Sequence, residues 1–128
     1  MVKILFIAFG GAIGTALRYI VSNLDYKFSN GVFPVSTFIV NIVGSLVIGF
    51  LWGLFERIDV SSSMRMFIFI GILGGFTTFS SFSLENFNLF RDAEYKIAFF
   101  NIVATNLIGL GFVVVGFAAA RFLTNIVK

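Results

Sequence analysis

Gly74-Gly75-Phe76-Thr77-Thr78-Phe79-Ser80-Ser81-Phe82-Ser83 is the stretch that decides how this chain is read. It sits inside a long apolar segment, residues 64–90. Two glycines and five hydroxyl side chains in ten residues make poor material for a plain membrane helix. Glycine loosens the backbone, and serine and threonine can satisfy the backbone groups that a broken helix leaves open. Irregular backbone at membrane depth is tolerated only where it is buried in protein or lines a cavity. The stretch is therefore the expected functional centre.

The whole chain supports a membrane setting. Its 128 residues are 59% hydrophobic and only 12% charged, against about 25% charged in soluble domains. A spanning helix takes about 20 apolar residues, so four spans use most of the length. The expectation is an all-α membrane protein with one domain, residues 1–128. There is no cysteine and no histidine, which excludes disulfides, thiolate and imidazole metal sites, and catalysis by either residue. The net charge of +3 is small and dispersed, which argues against nucleic acid as a partner. Lys3 followed by an apolar run resembles a signal peptide, but the run continues to Val21 without a clear cleavage site. It reads as a retained first span.

Span one is Val2–Val21, with Gly10 and Gly14 on one face and Arg18 near its end. The two glycines permit close approach of another helix. Residues 22–31 read as a loop holding Asp25, Lys27, Ser29 and Asn30. Span two is 33–55, with Pro34 in its first turn, Asn41 well inside, and Ser45, Gly49 and Gly53 forming a second small-residue face. Glu56, Arg57, Asp59 and Ser61 to Ser63 form the next loop. Span three is 64–90. As one helix it would measure about 40 Å against a hydrocarbon core of about 30 Å, which leaves room for a break near Gly74-Gly75. A charged loop with Arg91, Asp92, Glu94 and Lys96 leads to span four, 97–123, which carries Asn101, Thr105, Asn106 and three glycines.

With four spans both termini share a side. That side carries Lys3, Arg57, Arg65, Arg121 and Lys128; the other carries Arg18, Lys27, Arg91 and Lys96. Five cations against four barely specify an orientation. Two readings stay open: a weakly biased single topology, or insertion in both directions with pairing as an antiparallel homodimer.

The intramembrane polar groups are mainly neutral: Asn41, Thr77, Thr78, Ser80, Ser81, Ser83, Asn86, Asn101, Thr105 and Asn106. Of the six acids only Glu85 lies well inside a span. A proton-coupled transporter usually relies on an intramembrane carboxylate or histidine relay, and one carboxylate is thin support. Hydroxyl and amide groups are hydrogen-bond donors and suit an anion. Most of the 19 phenylalanines are membrane-facing bulk. Phe79 and Phe82, spaced by three, share a face, and their electropositive ring edges permit anion contact. The glycine pair and its threonines admit tight helix packing or a backbone cation site at a helix break. A phosphate loop is discounted, because no lysine follows.

Taken together, the ten residues closely resemble the signature of the Fluc family of small fluoride channels, also called CrcB proteins. Gly10-Gly11-Ala12-Ile13-Gly14 with Arg18 resembles the family's first span, and Ser36-Thr37-Phe38-Ile39-Val40-Asn41 with Gly44 its second. Span four matches more loosely, through Tyr95 and scattered glycines. Ser81 stands where many members have threonine, and Ser36 where glycine is common. The resemblance implies an antiparallel, dual-topology homodimer with two passive fluoride pores in the cell's inner membrane. It implies that Asn41 points its amide into a pore lined by Phe79 and Phe82. Thr78, Ser80 and Ser81 would be hydroxyl donors, and Arg18 and Glu85 would belong to the vestibules. It also implies a structural sodium ion at the dimer interface, held by the backbone carbonyls of Gly74 and Thr77 from each subunit. Two other classes were weighed. A small four-span proton-coupled exporter would need a carboxylate in span one, and Val2–Val21 has none. A structural membrane subunit would explain the packing glycines but not the ordered Phe-Ser-Ser-Phe. An enzyme is not expected.

Overall fold

The computed structural model describes residues 1–23 and 32–127. Most of the expected first loop, with Asp25, Lys27, Ser29 and Asn30, lies outside the described residues, as does Lys128. The described residues are helical, with turns and short links and no strand. Helix α1 is Val2–Val21 and α2 is Val35–Phe55. Helix α3 runs through Ser62–Arg65, a π-helical stretch Met66–Leu73, and a last turn Gly74–Phe76. Helix α4 is Ser80–Arg91 and α5 is Tyr95–Val127. Four segments, counting α3 and α4 as one, are long and apolar enough to cross a membrane. The fourth begins two residues before and ends four residues after the expected 97–123. Pro34 stands just before α2 rather than within its first turn.

Close backbone approach at small residues makes two helix pairs. Helix α1 packs along α3: a methyl group at Gly10 would strike the Phe67 carbonyl, and one at Gly14 the Ile72 carbonyl. Helix α2 packs along α5 in the same manner. Methyl groups at Gly49 and Gly116 would strike the carbonyls of Val113 and Leu46, and Gly53 lies against Ala120. In lipid, where apolar surface alone does not drive helices together, such close contact is a main source of association. Both small-residue faces read from the sequence are therefore packing faces.

The ends of these helices are tied by polar contacts. Arg65 Nη2 donates to the Phe55 carbonyl at 2.7 Å, folding the second loop over the end of α2, and its guanidinium lies 5.4 Å from the Phe55 ring centre. Arg121 pairs with Glu56 across α5 and the end of α2. Helix α4 ends with Ala93 at φ 62°, while Glu94 N–H reaches back to the Leu89 carbonyl at 2.8 Å and Ala93 N–H to that of Phe90 at 3.1 Å. That is the paired bonding of a left-handed helix stop.

The third span is interrupted, but not at the glycine pair. Gly74 and Gly75 are still helical, and the break falls at Thr77–Thr78–Phe79. Thr77 is extended, at φ −87° and ψ 161°. Its N–H and its Oγ1 both donate to the Leu73 carbonyl, at 3.0 and 2.9 Å. The side chain thus competes for an acceptor that helix continuation uses. Gly75 has a different task. A methyl group there would stand 2.7 Å from the Gly11 carbonyl, so the glycine admits α1. Gly74 is exposed, and a methyl group there would meet only the Phe69 carbonyl, at 3.7 Å.

Candidate ion pathway at the helix break

A break at membrane depth must find partners for the backbone groups it releases. Here partners are identifiable for four of those groups. In a continuous helix the Gly74 carbonyl would accept from Thr78 N–H; that N–H goes to Asn41 Oδ1 instead, at 2.9 Å. Asn41 Nδ2 donates to the Thr78 carbonyl at 3.1 Å, so one amide grips both backbone groups of one residue. The Gly75 carbonyl, whose helical donor would be Phe79 N–H, accepts from Arg18 Nε at 3.0 Å. Ser81 N–H, which helix continuity would give to the Thr77 carbonyl, goes to Thr78 Oγ1 at 3.2 Å, and this caps the start of α4. The carbonyls of Gly74 and Thr77 have thus lost the donors of a continuous helix.

Several of these residues border a groove of about 380 Å³. Asn41, Thr78, Phe79 and Phe82 line it, with Gly44 and Ser45 from α2, Gly74 and Thr77 from α3 and the break, and Thr105 and Asn106 from α5. No ionisable side chain is among its described lining residues. The Phe79 and Phe82 rings stand 6.0 Å apart between centroids at 43°. Phe82 is buried, 7% exposed, whereas Phe79 is 77% exposed. A methyl group on Gly44 would collide with Thr77 Cγ2, so Gly44 is what lets the break sit against α2.

Of the residues expected from the sequence, Asn41, Thr78, Phe79 and Phe82 meet at this groove. Ser80 and Ser81 begin α4 beside it but are not among its lining residues. Arg18 is engaged with the Gly75 carbonyl. Glu85 lies elsewhere: it accepts from Thr37 Oγ1 at 2.8 Å and lines a separate cavity of about 330 Å³ with Asp92 and Glu94. That cavity, at the far end of α4, is acidic and ill suited to hold an anion.

The sequence reading did not single out Thr37 as a site residue, nor the pairing of Asn86 with Asn101. A signal for the first was present. Thr37, Asn41 and Ser45 recur every four residues, which places three polar side chains on one face of α2. The same face continues as Gly49 and Gly53, so the packing role drew the eye. The second carries no sequence signal, because Asn86 and Asn101 lie on different helices and 15 residues apart.

Comparison with known proteins adds to this geometry. A family model described as "CrcB-like protein, Camphor Resistance (CrcB)" matches residues 5–117. A protein of Parabacteroides distasonis named fluoride-specific ion channel FluC is 41% identical over 128 residues, covering 100% of both chains. A protein of the same name from Desulfotalea psychrophila is 43% identical over 114 residues, 89% of this chain and 88% of its own. One from Pyrococcus abyssi, again so named, is 41% identical over 118 residues, 91% of this chain and 94% of its own.

Proposed function

The chain belongs to the CrcB-like protein family, and from that premise we propose that it is a fluoride-selective ion channel, as its relatives are named. The observation that carries this reading is the groove at the helix break, furnished with amide and hydroxyl groups and aromatic walls and, among the described residues, without an ionisable lining side chain. Fluoride is small and strongly hydrated, so a pathway must replace its water with close donors. Asn41 Nδ2 spends one hydrogen on the Thr78 carbonyl; an amide nitrogen has two, and the second serves the anion. Thr78, Ser80 and Ser81 supply hydroxyl groups at the start of α4, where the helix dipole also favours negative charge. The ring edges of Phe79 and Phe82 carry partial positive charge and shut out water.

The partner of this pathway is a second copy in the opposite orientation. Phe79 is 77% exposed in one chain, so one side of the groove needs covering. The near-balanced flanking cations permit insertion both ways. The dimer has two pores and a two-fold axis in the membrane plane. The carbonyls of Gly74 and Thr77 are the residues that would hold a sodium ion on that axis. Their fit rests on the diverted donors, Thr78 N–H on Asn41 and Ser81 N–H on Thr78 Oγ1, and on the affinity of carbonyl oxygen for hard cations. Two oxygens from one chain are few for a cation, so two from the second copy complete the set. When bound, the ion adds positive charge beside the anion path and ties the two broken spans together. Arg18 stays on the Gly75 carbonyl, and Glu85 stands apart from the groove, at the acidic cavity by the far end of α4.

Flow is passive, since a channel of this kind draws on no energy source. In the cell's inner membrane it releases cytoplasmic fluoride that entered as HF and ionised there. The test is fluoride efflux from liposomes holding purified protein, measured with a fluoride electrode beside a chloride control. Fluoride efflux with chloride retained is expected; no efflux, or equal chloride flux, ends this reading.

A further inference from the structure

We propose that Asn101 is a positioning residue for the pathway: its buried amide anchors α4 to α5 through Asn86 and so sets where Phe82 stands. The proposal rests on the channel reading for its functional half, and on geometry alone for the anchor.

Helix α4 has only 12 residues and is cut off from α3 by a non-helical link. No helix continuity therefore fixes its rotation. Its buried residues are Phe82, Asn86 and Leu89. At intervals of four and three they form one face, with the asparagine in the middle. Asn86 is 5% exposed and Asn101 1%, the latter among the most fully buried side chains in the molecule. Asn101 Nδ2 donates to Asn86 Oδ1 at 2.9 Å, and Thr105 Oγ1 donates to Asn101 Oδ1 at 3.2 Å.

An apolar face on a short helix can slide or turn at little cost. A hydrogen bond between two buried amides is satisfied in one arrangement only, and a buried polar group without its partner is costly. The pair thus fixes the register between the helices. Its position relative to the groove is telling. Phe82 precedes Asn86 by one turn on α4, and Thr105 follows Asn101 by one turn on α5, and both Phe82 and Thr105 line the groove. The two asparagines are not among its lining residues. They stand about 6 Å along each helix from the residues that are. They do not touch the ion; they hold the wall that does. Width-based exclusion of a larger anion depends on that wall keeping its place.

The test uses the full-length protein with Asn101→Leu, Asn86→Leu and the double substitution. Amide hydrogen exchange is read on α4, with α2 as internal reference, and fluoride and chloride fluxes are measured in liposomes. Asn101→Leu is expected to speed exchange across residues 80–91 at least tenfold, to leave 35–55 unchanged, and to lower the fluoride-to-chloride flux ratio at least tenfold. The double variant leaves no orphaned amide and keeps the fold within reach if a single variant fails to assemble. It is expected to recover slow exchange but not the flux ratio. Unchanged exchange in Asn101→Leu overturns the anchor. A double variant with the parent's flux ratio overturns the positioning role and leaves the pair a packing element. A parent protein that passes no fluoride sinks the channel reading instead, and the exchange result then still decides the anchor.

Discussion

Replacing Asn41 by leucine removes the one side chain that bonds both backbone groups of Thr78. The shape is nearly kept, so the change is mainly the loss of hydrogen bonds. Two bonds are lost, at 2.9 and 3.1 Å, and a backbone N–H and a carbonyl are left without them at membrane depth. An orphaned buried polar group costs about 1–3 kcal/mol, so the pair costs about 2–6 kcal/mol. At about 1.4 kcal/mol per factor of ten, the ordered break becomes at least some 20-fold less populated relative to rearranged forms. Fluoride efflux from liposomes should fall more than tenfold, and the thermal midpoint in detergent should fall with it. The reasoning is refuted if Asn41→Leu keeps both efflux and thermal midpoint close to the parent's. Loss of efflux with full stability would mean that Asn41 acts on the ion but does not hold the break.

The glycine pair makes a sharp contrast. Gly75→Ala sets a methyl group 2.7 Å from the Gly11 carbonyl and should destabilise by about 1–3 kcal/mol. Gly74→Ala meets nothing closer than 3.7 Å and should be near neutral in the same unfolding experiment. Phe79→Ile and Phe82→Ile should each slow fluoride efflux several-fold. Phe82→Ile should also lower the thermal midpoint, because Phe82 is buried within the single chain; flux in both variants unchanged from the parent's would reduce the rings to packing. For topology, single-cysteine variants in the terminal and loop segments should label from both sides of the membrane, and labelling from one side alone would remove the antiparallel dimer.

Hydropathy and the spacing of small residues were enough to draw the spans, because lipid imposes length and apolarity on any helix that crosses it. Val2–Val21 was bounded to the residue, and the packing faces at Gly10 and Gly14 and at Gly49 and Gly53 were visible as four-residue repeats. That the third span breaks was also legible, from a polar run inside an apolar one. Where it breaks was not. Glycine looked like the weak point, yet Gly75 is held helical against α1, and the break follows at Thr77–Thr78, where Thr78 N–H leaves the helix for Asn41.

The partners of the break were beyond reach of the sequence for a plain reason. Asn41, Arg18 and Asn101 act on residues 37, 57 and 15 positions away, and such pairings are set by which helix faces meet. Local spacing determines a helix's faces; only the packed bundle decides which carbonyl a side chain will find. The sequence by itself determined a four-span membrane protein with its third span interrupted within 74–83. The tertiary structure decided that α2 supplies the clamp on Thr78, α1 the cation on Gly75, and α5 the buried amide that bonds Asn86 in the second half of the broken span.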